Sequence, residues 1–311
     1  MPELKGEAKV VYVFPGQGSQ WAGMGSDLYR SSSSAREVFE ETDEALSFPL
    51  SRLCFEGPEE ELRQTINAQP AILMVSLACL KAALDMGRLN GMTPPAFVAG
   101  HSLGEYTALV AADVLNLSEA VRLVRERGRL MQEAGAARPG GMVAIIGMNQ
   151  ASLEEICRET GVQIANINCP EQLVISGPKE SLTPAIEMAK ERGARRTIPL
   201  PVNGSFHSSS MAPTVDGMAE AISTLHFNNP SIPVVANSTA LPLTTAEGVK
   251  AELLEQLCHC VQWQRSIEHM VEAGGSAFIE IGPGQVLTGL IKRINKNVQT
   301  LNIGDTLLAG P

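Results

Sequence analysis

Hydrophobic and polar positions alternate between two textures along this chain. Short continuous apolar runs, bounded by Gly, Pro or Asn, mark strands buried on both faces, and longer stretches with apolar residues three and four apart mark the helices that cover them. Strands are predicted over 10–14 (Val-Val-Tyr-Val-Phe) and from Phe97, and helices over 35–46, 59–67, 69–87 and 117–133. After Pro139-Gly140-Gly141 the pattern tightens to strand 142–147, helix 152–160, strand 162–167, strand 173–176, helix 179–192 and strand 196–200. That β-α-β-β-α-β order is the ferredoxin-like split pattern. In it, Asn166 to Gln172 forms the loop between the middle strands. Strands over 234–237 and 277–281, with helices over 249–257, 262–273 and 285–295, close the chain.

The strand from Phe97 ends in Gly100-His101-Ser102-Leu103-Gly104, a G-x-S-x-G turn whose glycines remove the β-carbons that would block a sharp reversal into a helix. Ser102 stands at the apex as a candidate nucleophile, and the amide of Leu103 points a donor at any oxyanion formed there. A glycine-flanked serine also fits a helix N-cap. The elbow and the strand order together predict an α/β fold. An α/β-hydrolase-like core with a parallel sheet is expected from 1–138 and 202–311, with an inserted ferredoxin-like small subdomain over 139–201.

Three other places carry candidate chemistry. The loop Pro15-Gly16-Gln17-Gly18-Ser19-Gln20 resembles a dinucleotide fingerprint, but Trp21 replaces the third glycine; such a loop can instead lend an amide to an oxyanion hole. On the 117–133 helix, Ala120, Val124, Arg127 and Met131 share one stripe, so Arg127 falls on the apolar side. A buried guanidinium needs either a protein partner or an anionic ligand. Of the five histidines, His207 lies in a loop and is best placed as a base, whereas His101 adjoins Ser102 and should point away from it. Cys258-His259-Cys260 lacks the second, spaced pair that structural zinc requires, so no metal is expected.

Charge and cysteine content narrow the setting. A net charge of -10 disfavours nucleic acid and anionic membrane as partners. Local basic groups at Arg122, Arg125 and Arg129, at Lys190 to Arg196, and at Lys292 to Lys296 fit solvated helix faces. Six scattered cysteines without disulfide-like spacing, and an N-terminus without a signal-like apolar core, predict a cytoplasmic protein. The apolar stretch 71–80 is too short to span a bilayer, and no sustained apolar seam predicts anything beyond a monomer.

Taken together, Phe14-Pro-Gly-Gln-Gly-Ser-Gln20, Gly100-His-Ser-Leu-Gly-Glu-Tyr106, Arg127-Gly128, Ser205-Phe206-His207, Val261-Gln262-Trp263 and Gly282-Pro-Gly284 resemble the malonyl-CoA:acyl carrier protein transacylases. The likeness extends, less closely, to the acyltransferase domains of polyketide synthases. It runs in register from Val10 to Asn295, with His259-Cys260 standing where Asn-Pro is more usual. The resemblance implies transfer of malonyl from malonyl-CoA to the phosphopantetheine thiol of acyl carrier protein, through a malonyl-serine, in fatty acid biosynthesis. In that scheme Ser102 attacks, His207 is the base, the carbonyl of Gln262 orients His207, and the amides of Gln17 and Leu103 form the oxyanion hole. Arg127 clamps the malonyl carboxylate, Asn166 and Asn168 flank the cleft, Phe206 fills the space of an α-methyl group, and His101 belongs to the substrate-binding set. No cofactor is implied beyond the coenzyme A thioester as substrate and the partner's phosphopantetheine. A serine hydrolase, a non-catalytic docking module and a polyketide-serving transferase are the competing readings.

Overall fold

The computed structural model describes residues 8–89 and 94–304; the expectations for residues 1–7 and for the tail from 305 lie outside the described residues. Ten strands are described: β1 (Val10–Phe14), β2 (Phe97–Gly100), β3 (Gly140–Ile146), β4 (Gln163–Cys169), β5 (Gln172–Pro178), β6 (Arg196–Pro199), β7 (Val234–Val235), β8 (Pro242–Leu243), β9 (Ala277–Ile281) and β10 (Gln299–Ile303). They form a six-stranded sheet in the order β10-β9-β1-β2-β7-β8 and a four-stranded sheet in the order β4-β5-β3-β6. The large sheet is parallel except for the edge strand β8. β1 is buried along its whole length, as a central strand with helices on both faces must be.

Parallel pairing gathers the loops that matter. Phe14 lies opposite Gly100 and Val13 opposite Glu280, so β1, β2 and β9 end at one edge, and β7 ends beside them. The loop carrying Gln17, the turn carrying Ser102, Asn237 and the Gly282-Pro283-Gly284 turn all leave that carboxyl edge, where open α/β sheets place their ligands.

The four-stranded sheet is antiparallel throughout, with the helices Gln150–Thr160 and Lys179–Glu191 packed beside it. β3 alternates in the expected way: Val143 and Ile145 enter the small sheet's own core, while Met142 and Ala144 face the main one. Backbone hydrogen bonds fasten β4 to the large layer, from Ile167 to the Val261 carbonyl at 2.9 Å and from Val261 to the Ala165 carbonyl at 2.8 Å.

Several boundaries differ from the sequence pattern. Asn166 and Asn168 lie within β4 rather than in a loop; two bulges carry the strand on to Cys169, leaving only Pro170 and Glu171 for the turn. The expected helices over 59–67 and 69–87 are instead Glu59–Leu62 and Thr65–Asp85, the second passing through Pro70 near its start, where a missing N–H removes one hydrogen bond. That second helix is long and apolar enough to cross a membrane, but 89% of its apolar window is buried inside the protein, as in a core helix. β10 was not anticipated.

Candidate active site

Ser102 sits where β2 breaks into the Gly104–Ala111 helix, with φ at +52°. This left-handed conformation costs a non-glycine residue about 1–2 kcal/mol. Asn237 holds it in place: its Oδ1 accepts from the Ser102 amide at 2.7 Å, and its Nδ2 donates to the Gly100 carbonyl at 2.7 Å. Gly104 is required by contact, since a β-carbon there would stand 2.2 Å from the Phe14 carbonyl oxygen.

The serine hydroxyl has two partners. His207 Nε2 lies 2.7 Å from Ser102 Oγ, and Arg127 Nη2 donates to the same oxygen at 3.2 Å. His207 Nδ1 lies 2.8 Å from the main-chain carbonyl of Gln256. A carbonyl only accepts, so Nδ1 carries the proton and Nε2 is left as the acceptor facing the serine. Burial, with the Arg127 charge as the second cause, pushes the His207 pKa down to about 3, so the free ring is neutral near pH 7. His207 also has a positive φ, +53°. Strained residues of this kind cluster at working sites.

The carbonyl that orients His207 is therefore Gln256, not Gln262. Gln256 lies near the end of the Ala246–Cys258 helix, whose last carbonyls have no later turn of helix to accept from. The negative end of the helix also favours an imidazolium. Gln262 instead donates its main-chain N–H to the Asn237 carbonyl at 2.7 Å, and the residue borders a second cavity together with His207, Cys258, His259 and Cys260. Among the described residues, no group of three or more His, Cys, Asp or Glu side chains is arranged to hold a metal ion.

Arg127 is 1% exposed, and among the described residues no carboxylate lies within ion-pair distance of it. Neutral amides hold it: Nη1 donates to Gln69 Oε1 at 2.7 Å and Nη2 to Gln256 Oε1 at 2.8 Å, with the Tyr106 ring 5.3 Å from the guanidinium carbon. Its helix lies close against Thr65–Asp85 because Gly128 has no side chain; a β-carbon there would meet the Thr65 carbonyl oxygen at 2.7 Å. The apolar stripe read from the sequence is real, and the charge on it is solvated by amides rather than neutralised.

A cavity of about 280 Å³ opens over the serine and is bordered by Gln17, His101, Asn166, Asn168, Phe206 and His207. Met131, Met142, Val174 and Leu200 make its walls largely apolar. The main-chain amides of Gln17 and Leu103 donate to no protein group among the described residues. His101 turns its ring away from Ser102 and bonds Asn168 Oδ1 through Nε2 at 2.8 Å.

Comparison with known proteins assigns the family. Residues 11–310 match the model of the acyl transferase domain family. The chain belongs to that family. It is 45% identical over 303 residues to the malonyl CoA-acyl carrier protein transacylase of Bacillus subtilis, covering 96% of this chain and 94% of that protein. The solved structure of the malonyl CoA-acyl carrier protein transacylase from Coxiella burnetii superposes with a TM-score of 0.92 at 38% identity, covering 97% of this chain and 96% of that one. A malonyl-transacylase solved in complex with its holo type II PKS acyl-carrier protein gives a TM-score of 0.91 at 38% identity, covering 97% and 98%.

Within this acyl transferase, sequence reasoning missed Asn237 and Gln256. Asn237 belongs to an expected strand, 234–237, that stops at Val235, which frees its side chain for the elbow. Gln256 acts through a main-chain oxygen that every residue possesses, so its side chain carried no signal for that role.

Proposed function

We propose that this chain is a malonyl-CoA:acyl carrier protein malonyltransferase working by a ping-pong Ser-His mechanism. The observation that carries the reading is the double engagement of Ser102 Oγ, by the neutral nitrogen of His207 and by a buried arginine that lacks a carboxylate partner. An acyl group ending in its own carboxylate supplies that partner, bidentately.

Ser102 Oγ attacks the thioester carbonyl while His207 Nε2 takes its proton. The oxyanion is received by the amides of Gln17 and Leu103, donors of a kind worth about 3–4 kcal/mol each. As the C–S bond breaks, His207 returns the proton to the leaving sulfur, releasing coenzyme A and leaving malonyl-Ser102. The phosphopantetheine thiol then gives its proton to His207 and attacks the ester, and the proton returns to Ser102 Oγ. Binding of the malonyl carboxylate offsets the Arg127 charge, one of the causes that depress the His207 pKa, so substrate makes the base stronger as it arrives.

Asn168, with its oxygen taken by His101, keeps its NH₂ for a pantetheine carbonyl, and Asn166 lies beside it. Phe206 occupies the space of an α-methyl group, a discrimination of about 1–3 kcal/mol. The apolar walls of the cavity favour the carrier thiol over water. Six cysteines, none of them in a disulfide, fit a cytoplasmic setting. Fatty acid synthesis is the pathway the family resemblance implies; the relative solved with a polyketide carrier makes that carrier the second reading.

Intact-protein mass spectrometry after mixing with malonyl-CoA, then with holo carrier, tests the proposal. A malonyl adduct that Ser102→Ala lacks and that moves to the carrier supports it. Retained malonylation in Ser102→Ala sinks the dyad, and an adduct lost to water as fast as to carrier makes the protein a hydrolase.

A further inference from the structure

Glu105 lies three residues beyond the nucleophile, in the first turn of the Gly104–Ala111 helix, and is 0% exposed. The mechanism above gives it no role. Its Oε2 accepts a hydrogen bond from Gln256 Nε2, and that same nitrogen donates to the Ser102 main-chain carbonyl at 3.1 Å. Both hydrogens of the Gln256 amide are thereby committed on one side. Its Oε1 is left facing Arg127 Nη2 at 2.8 Å, while its main-chain carbonyl holds His207 Nδ1. One glutamine thus touches the clamp, the base and the backbone of the nucleophile.

An amide has a donor end and an acceptor end, and the two have nearly the same shape. Rotated end for end, Gln256 would set its NH₂ against the guanidinium, donor against donor, and Arg127 would lose a hydrogen bond within reach of Ser102. Glu105 is the side-chain acceptor that rewards the observed orientation.

We propose that Glu105 is a positioning residue for transfer of carboxylate-bearing acyl groups: by accepting from Gln256 it fixes which end of that amide meets Arg127, and so aims the guanidinium at Ser102 and at the substrate carboxylate. The proposal rests on the dyad and clamp described above. Burial, and after it the neighbouring Glu252, hold the Glu105 carboxyl well above the usual carboxylate range. The charged and titratable groups facing it are Arg127 on the Leu117–Ala137 helix, Glu252 on the Ala246–Cys258 helix, and Tyr106 on its own helix. Among the described residues its Oε1 is buried without a hydrogen-bond partner, a situation costlier for a carboxylate than for the acid. Once ionised, Glu105 would offset the Arg127 charge and compete with the substrate for it.

Steady-state kinetics of Glu105→Gln and Glu105→Leu with malonyl-CoA and holo carrier test this. Glu105→Gln keeps a side-chain carbonyl for Gln256 and is expected to hold KM for malonyl-CoA within about threefold, whereas Glu105→Leu should raise it at least about tenfold with a smaller loss in kcat. A wild-type KM in Glu105→Leu, or an equal rise in both variants, overturns the proposal. If Glu105→Leu does not fold, the pH profile of Glu105→Gln decides: kcat/KM for malonyl-CoA should fall on the alkaline side in the wild type and not in the variant, and coincident profiles overturn the proposal. Malonylation of Ser102→Ala, measured alongside, would reject the dyad itself rather than the role of Glu105.

Discussion

Arg127 and Arg129 lie two residues apart on one helix and meet opposite environments. Arg129 is 41% exposed at its side chain and bridges Glu126 at 2.6 Å and Glu133 at 2.7 Å, which raise its pKa. Arg127 is buried and, among the described residues, hydrogen-bonds neutral amides and the serine hydroxyl beside an aromatic ring, and burial lowers its pKa, though an arginine stays charged. The residue richer in ion pairs is the less consequential one. A surface arginine spends its charge on neighbours already able to use water, whereas a buried one without a carboxylate keeps an unanswered field inside a cavity. A count of ion pairs would have selected the wrong arginine.

The contrast can be broken at several points. Arg127→Ala should lower kcat/KM for malonyl-CoA on the order of 10³-fold, the loss typical of removing one partner of a buried charge pair, and lower it less for acetyl-CoA. Equal losses for both thioesters would make Arg127 structural, like Arg129. Asn237→Ala should reduce kcat by roughly 10- to 100-fold, because Ser102 loses the side chain that holds its left-handed turn; an unchanged kcat would mean that the neighbouring strands suffice.

Protonation sharpens the same point. The folded His207 pKa lies below its unfolded value of about 6.5, so the unfolded chain binds the extra proton between that pH and about 3. The stability this ring contributes is complete above about pH 6.5 and declines as the pH falls through that window. Melting curves at descending pH should therefore show a smaller decline in His207→Gln than in the wild type; parallel declines would mean that the ring is not held neutral. Smallest of all, Arg129→Ala should cost less than about 1 kcal/mol in urea unfolding and leave kcat/KM unchanged. A larger effect would show the exposed pairs acting as a network.

Legibility in the sequence followed the range of each interaction. Ser102, Arg127 and His207 each carried a local mark: a glycine-flanked turn, a charge on an apolar stripe, a histidine in a loop. Their convergence depends on parallel pairing across the sheet, for which the sequence offers only the resemblance to a family. Gln256 was displaced onto Gln262 because the contact is made by a main-chain oxygen, positioned by where a helix ends. The apolar pattern ended the strand at Ile167, whereas bulges let β4 run up to Cys169 and place Asn166 and Asn168 on its length. β10 spans only five residues, of which Leu301 and Ile303 alone are buried, too short a run to stand out.

The pairing of β1 with β9 has a consequence for how the molecule comes into being. Val10 leaves the ribosome long before its neighbour Ala277 is made. Until then the middle strand of the large sheet, apolar on both faces, has one side of its backbone unpaired. Contacts so distant in sequence form slowly, and an open apolar edge invites pairing with another chain. A nascent or interrupted product is therefore both inactive and adhesive, and the final strands protect the protein from its own earlier half.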